Sequence, residues 1–366
     1  MVLNTTRLKI GSFLTVSRLL CMLGILDTSN IYSLYQQLTI ESTLNYSITM
    51  SDPSCELCNK ILGAVVGHAC GDYLGMPVEF KSKPEQVVDF FGELGIRPLT
   101  VLARGHKTAG FYTDDTAMML CLAQSLIDKG FDTRDQFEKY KSWAFNGYMS
   151  ADNKQSYGIG QNTLRKLLRQ GVDNIPTKIE NNNKEGGNGA LMRCLPIGIV
   201  YFQEIDQVVE KSVLSALVTH NNDIAVWSTV VFNTFVSYSL KGLNKDAFLD
   251  RFFAEHFYRD LPEDIKTLLQ KLQVRNEQDI SNTGYSLNTL EIALVSFFST
   301  DQLDDAIKMA IGFAGDTDTQ GAVTGGLAGA YYGYNSIPNN WVESLQNREM
   351  IINIAQNLCA ISSKKN

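Results

Sequence analysis

Between Glu56 and Leu74 the apolar residues Ile61, Leu62, Val65 and Val66 recur at helical spacing, with Gly63, Ala64, Gly67, Ala69 and Gly71 among them. Small residues let a neighbouring backbone come close, so the pattern predicts a buried helix. Gly71-Asp72 and then Gly75-Met76-Pro77 are expected to interrupt it and to put Val78-Glu79-Phe80 on a loop. A second strong pattern opens at Asp114-Asp115, continues through Ala117, Met118, Leu120, Leu122, Ala123, Leu126 and Ile127, and stops at Lys129-Gly130, a common helix ending. The same spacing predicts helices around 133–147, 161–170, 189–202, 206–219, 223–240, 245–256 and 262–273, then over Asn288–Phe298 and Leu303–Gly312. No long run alternates with period two, so the pattern is that of an all-α chain. The last helix holds Gly321, Gly325, Gly326 and Gly329, each costing about 1 kcal/mol relative to alanine on a surface helix. Such density is expected of a central helix touched closely on several sides.

The start of the chain reads differently. Residues 1–26 carry Arg7, Lys9 and Arg18 and no acidic residue, and their apolar run from Ile10 to Leu26 is broken by Ser12, Thr15, Ser17 and Arg18. This permits a signal peptide or a transit peptide, while Arg18 argues against a membrane span. A third reading starts the functional chain at Met50. We therefore divide the chain into an extension, 1–54, with no packing role, and a single compact domain, 55–362.

With 44% hydrophobic and 19% charged residues the 366-residue chain has the composition of a packed globular protein. A net charge of −7 argues against direct nucleic-acid binding, which needs a basic surface. The seven cysteines lie mostly in apolar segments, which suits reduced core thiols of a cytoplasmic protein better than a disulfide framework. Cys55-Glu56-Leu57-Cys58 has no second pair or nearby histidine to complete a zinc site.

Candidate chemistry centres on Gly315-Asp316-Thr317-Asp318-Thr319, a cluster of oxygen ligands, and on its counterpart Thr113-Asp114-Asp115-Thr116. Asp114 and Asp115 are either helix caps or ligands, and one aspartate suffices for a cap. Glu79, between two apolar residues, is either a paired structural carboxylate or a ligand or base. Oxygen ligands without His or Cys select Mg²⁺, Mn²⁺ or Ca²⁺. Two ions sharing Asp318, about 3.5 to 4 Å apart, would orient a substrate's hydroxyls and activate a water for hydrolysis. Gly186-Gly187-Asn188-Gly189 precedes a helix expected near Ala190, whose free N–H groups would suit a phosphate. His220 sits where a histidine usually pairs with a helix C-terminus.

Several blocks in order, Gly71-Asp72-Tyr73-Leu74-Gly75, Pro77-Val78-Glu79-Phe80, Thr113-Asp114-Asp115-Thr116, Gly187-Asn188-Gly189-Ala190-Leu191-Met192-Arg193, Thr219-His220, Thr283-Gly284-Tyr285, Gly315–Thr319, and Ile337-Pro338 with Trp341, resemble the ADP-ribosylglycohydrolase family. The resemblance spans about residues 56–350. It implies an all-α, single-domain fold of many helices with a binuclear Mg²⁺ or Mn²⁺ centre, acting on ADP-ribosylated proteins or ADP-ribose conjugates; a monomer is expected. By the same resemblance Thr113, Asp114, Asp115, Asp316, Asp318 and Thr319 are the metal ligands and Glu79 the acid that reaches the second metal or its water; analogy with other glycosidic hydrolysis makes Glu79 the expected general base, with Asp114 and Asp318 at the reacting centre. Asn188, Gly189 and His220 are then contacts to ADP-ribose. Where arginine-directed members carry Asp-Ile-Gly, this chain reads Gly158-Ile159-Gly160. Gly158 moves no proton, so the resemblance leans toward members that cleave O-linked ADP-ribose. The competing class is a non-catalytic ADP-ribose-binding relative.

Overall fold

Pro53–Asn366 forms one unit of the chain, and within it a computed structural model describes residues 55–81, 110–272 and 280–363. The expectations for residues 1–54 lie outside the described residues. Among these, every regular element is a helix, and one antiparallel bridge joins Gly187 to Tyr285. The α-helices are α1 Glu56–Gly75, α2 Asp114–Lys129, α3 Thr133–Asn146, α4 Gln161–Arg169, α5 Leu195–Val200, α6 Ile205–Leu217, α7 Asp223–Leu240, α8 Phe248–Phe253, α9 Glu263–Lys271, α10 Ser286–Ser299, α11 Leu303–Gly312, α12 Thr317–Tyr332, α13 Asn339–Ser344 and α14 Arg348–Ser363. No helix of the described residues is long and apolar enough to cross a membrane.

The centre of the fold is an antiparallel pair, α1 and α12, joined along a seam of glycines. Gly63 faces Gly329, Gly67 faces Gly325, Gly71 faces Gly321 and Gly75 faces the Thr317 backbone, each so closely that a Cβ would overlap the opposing carbonyl. Four-residue spacing keeps the contacts on one side of each helix. Thr317 closes the seam by donating its hydroxyl to the Gly75 carbonyl at 2.8 Å. Helices α7, α10 and α11 pack on α12, and α14 packs on α1, so the glycine-rich helix is central as its composition predicts.

Two boundaries differ from expectation. Helix α1 runs unbroken through Gly71-Asp72 to Gly75, because Gly71 serves the contact with Gly321 rather than a turn. The helix expected from about residue 189 begins instead at Leu195, with Pro196 in its first turn. Proline is accepted there, whereas further into a helix it lacks the N–H and meets the preceding turn.

The cysteines correct a third expectation. Cys58 of α1 and Cys359 of α14 form a buried disulfide, with Cα atoms 5.7 Å apart across 301 residues of sequence, while Cys70, Cys121 and Cys194 are buried free thiols. Replacing Cys359 by alanine should lower unfolding stability by about 3 kcal/mol, since the cross-link restricts the unfolded chain. Denaturant midpoints with and without reductant check this, and thiol titration in denaturant should rise by two on reduction. A midpoint indifferent to reductant would contradict the bond's role.

Candidate active site

The N-termini of α2 and α12 point into one cavity of about 290 Å³, lined by Glu79, Asp114, Asp316, Asp318 and Thr319. The lining also includes Gly158, Gly160, Asn162, Asn188, Gly189 and His220. Thus the two acidic stretches, some 200 residues apart in sequence, meet. Glu79, Asp316 and Asp318 each place a carboxylate oxygen within 4.8 Å of the others, and Asp72, Asp115 and Asp318 do the same. Asp318 belongs to both groups.

Asp72 is the residue that sequence reasoning passed over. Fully buried in α1, it accepts hydrogen bonds from Thr113 N (3.0 Å), Thr113 Oγ1 (2.9 Å), Thr116 N (3.0 Å) and Thr116 Oγ1 (2.6 Å). It therefore caps α2 from another helix and takes the duty that Asp114 and Asp115 would otherwise perform. Burial outweighs these donors and lifts its pKa to about 6. Both of its oxygens are occupied by donors. A buried acid within a helix of small apolar residues was the available signal.

Released from capping, Asp115 keeps Oδ2 on the Thr113 hydroxyl at 2.9 Å, while its buried Oδ1 has no hydrogen-bond partner. Asp114, Asp115 and Asp318 all have pKa values raised well above the ordinary carboxyl range, by burial first and then by other carboxylates. Burial without neutralisation is costly unless a cation completes the site. An orphaned carboxylate oxygen and two groups of converging carboxylates fit a hard divalent ion.

Asn188, expected at the substrate, lines the cavity, and its Nδ2 donates to Asp316 Oδ2 at 2.7 Å and to Thr289 Oγ1 at 2.9 Å. The Thr319 hydroxyl holds the other oxygen of Asp316 at 3.3 Å. Around Asn188 the loop is fixed to the start of α10, with Asn188 N donating to Gly284 O and Ser286 N to Gly186 O. No helix begins at Ala190, so the phosphate-binding N-terminus expected there is absent. A third helix start on the cavity, beside those of α2 and α12, is that of α4, where Gly160 is the N-cap without a side-chain cap and Gln161, Asn162 and Thr163 follow in the lining. Its capping residue is a glycine, which left little to read in the sequence.

His220 is buried, with Nδ1 2.7 Å from Thr219 Oγ1. Burial, followed by Arg193 and Lys166, holds its pKa well below the usual value, so the ring is neutral and does not act as a charged partner of the helix dipole. Gly189 packs directly on this ring, where a Cβ would lie 2.9 Å from Cε1. Below it, buried Glu185 accepts from Asn221 N and Asn182 Nδ2, both at 2.7 Å, and pairs with Lys166 of α4 at 2.9 Å. This clamp joins α4 to the segment carrying His220. Gly158 has φ +82°, and a Cβ there would overlap Asp114 Oδ1. Its glycine thus follows from the loop's passage over Asp114.

The sequence profile of the ADP-ribosylglycohydrolase family matches residues 53–366. The chain belongs to this family. The ADP-ribosylarginine hydrolase Tri1 of Serratia proteamaculans (strain 568) is 30% identical over 314 residues, 84% of this chain and 80% of that protein. The ADP-ribosyl-[dinitrogen reductase] glycohydrolase of Rhodospirillum rubrum is 29% identical over 300 residues, covering 81% and 92%. The ADP-ribosylhydrolase ARH3 of Homo sapiens is 27% identical over 295 residues, covering 69% and 80%. A solved structure described as an ADP-ribosylglycohydrolase-related protein complex superposes with a TM-score of 0.69 at 30% identity, over 84% of this chain and 99% of that one. As an ADP-ribosylglycohydrolase the chain is a hydrolase of glycosidic bonds, with the all-α architecture its periodicity predicts.

Proposed function

We propose that this chain releases ADP-ribose from modified protein side chains and requires two divalent ions, Mg²⁺ or Mn²⁺, to do so. The observation that carries the reading is the convergence of Glu79, Asp316 and Asp318 with Asp114 in one cavity, all of them on rigid helix termini or beside one. Thr113, Asp114, Asp115, Asp316, Asp318 and Thr319 would hold the ions, with Asp72 and Asn188 orienting them. Bound there, the ions supply Lewis-acid stabilisation of ribose hydroxyls and of the charge that develops in an oxocarbenium-like transition state.

The chain's own groups divide the remaining work. Glu79 takes the proton of the attacking water as its oxygen bonds to the anomeric carbon and the bond to the side-chain nitrogen or oxygen breaks. That proton, or one from solvent, ends on the leaving atom. The uncapped start of α4 presents N–H groups to the diphosphate. Neutral His220 offers a hydrogen bond without adding charge, and Gly158 and Gly189 keep the cavity open beside Asp114 and His220.

Arginine is the side chain we place first, because relatives named as ADP-ribosylarginine hydrolases are 30% and 32% identical over most of this chain. A serine or other O-linked substrate is the second reading. It rests on Gly158, where no carboxylate is available to serve an arginine leaving group. Incubating the protein with arginine-linked and serine-linked ADP-ribosyl peptides, with Mg²⁺, Mn²⁺ or EDTA, tests both. We expect release from the arginine peptide, its abolition by EDTA, and a higher melting temperature with either ion. Release that persists in EDTA would remove the metal requirement, and release from the serine peptide alone would reverse the order of substrates.

A further inference from the structure

We propose that Phe80 is the residue against which the modified polypeptide packs, so that it sets the preference for a protein substrate over a free ADP-ribosyl conjugate. This deepens the reading of function above and rests on it. Phe80 is 61% exposed and lines the cavity, and Met192, the other large apolar side chain in that wall, is buried. Exposed apolar side chains are ordinary in themselves, but this ring stands at the mouth of the carboxylate-lined cavity, where its apolar surface is offered to whatever enters. Its backbone is also unusual, with φ +55°, a left-handed conformation that disfavours a large side chain. Such strain persists where the surroundings impose it and gathers at ligand sites.

Here the surroundings are identifiable. The Phe80 N–H donates to the Gly315 carbonyl at 2.7 Å, which fastens the residue to the segment immediately before Asp316. Its preceding neighbour, Glu79, shares the carboxylate group with Asp316 and Asp318. Phe80 is therefore fixed at the reacting end of the cavity. In an ADP-ribosyl protein the polypeptide leaves from the anomeric carbon that reacts, whereas adenine is separated from that carbon by two riboses and a diphosphate. An apolar ring beside Glu79 and open to solvent meets the polypeptide rather than the base. Removing it from water on contact supplies an attraction that a free amino-acid conjugate, which carries a single amino acid and no flanking polypeptide, does not use in full.

The test compares kcat and KM of wild type, Phe80→Ala and Phe80→Tyr on an ADP-ribosylated peptide and on the matching ADP-ribosylated free amino acid. We expect Phe80→Ala to raise KM for the peptide about tenfold with kcat within twofold, to leave the free conjugate within twofold on both constants, and Phe80→Tyr to restore the peptide value. A retained rate on the free conjugate also shows that the variant is folded. Equal losses on both substrates would place the ring against ADP-ribose or in support of the site and overturn the proposal. No change on either would overturn it as well. A wild type that cleaves neither substrate with either linkage would overturn the functional reading, and the role of Phe80 with it.

Discussion

Asp318→Ala should lower kcat/KM for ADP-ribose release by about a thousandfold, the scale expected when several kcal/mol of metal-derived transition-state stabilisation are lost. Asp318 is the shared member of both carboxylate groups, so its removal weakens each of them. Asp316→Ala should also lose activity, but less, since Asp316 belongs to one group and is held by Asn188 and Thr319. Near-wild-type rates in either variant would sink the ligand assignment. A second readout has the opposite sign. Burial, Asp115, Asp316 and Glu79 raise the Asp318 pKa well above the ordinary carboxyl range, so ionising it opposes folding of the metal-free protein. Stability linked to this group is full below the unfolded pKa and is lost as pH rises through the folded one. Asp318→Asn keeps an acceptor for Thr319 N, which the native carboxylate binds at 2.9 Å. In EDTA at neutral pH it should therefore melt above wild type, with the gap closing as pH falls toward the ordinary carboxyl range, and added Mg²⁺ should stabilise wild type more.

Asp72→Ala should be the most destabilising single change at the site. It strips a fully buried acceptor from the N–H groups of Thr113 and Thr116 and from the Thr116 hydroxyl, and it leaves the Thr113 hydroxyl with Asp115 as its acceptor. Each buried donor left unmade costs about 1 to 3 kcal/mol, which puts the total at about 3 kcal/mol or more. Asparagine is no remedy, because its amide nitrogen would face donors on one side. The same change loosens the first turn of α2, which carries Asp114 and Asp115, and should weaken metal affinity about 10- to 100-fold, as for other partners that orient ligands. Denaturant unfolding measures the first effect and Mg²⁺ titration of activity the second. Recovery of the rate at high Mg²⁺ would establish Asp72 as a positioning residue. A variant as stable as wild type would show that α2 is capped in another way.

Much of the scaffold was readable because its signals are local. Asp114-Asp115 at one end and Lys129-Gly130 at the other bound α2 as expected, and the glycine density of residues 321–330 identified a central helix before any partner was known. The partner's glycines are visible as well, yet Gly71 reads as a break, since glycine at a turn and glycine at a close approach look alike along the chain. Leu195, rather than Ala190, begins its helix because Pro196 tolerates only the first turn. Cys58–Cys359, Glu185 with Lys166, and Asp72 with Thr113 and Thr116 were not legible, since each pairs side chains that nothing in the intervening sequence relates.

The residue pattern alone determined an all-helical chain and its two oxygen-rich helix starts, and from them an expectation of a hard cation, because periodicity, capping and ligand chemistry are properties of neighbouring residues. Packing decided the rest. Only when α1 and α12 meet along their glycines does Asp72 come under the start of α2, leaving Asp114 and Asp115 free of capping duty and Asp115 with an unpaired oxygen. Whether a carboxylate caps a helix or faces a cavity depends on what donors surround it, and those donors arrive from distant parts of the chain.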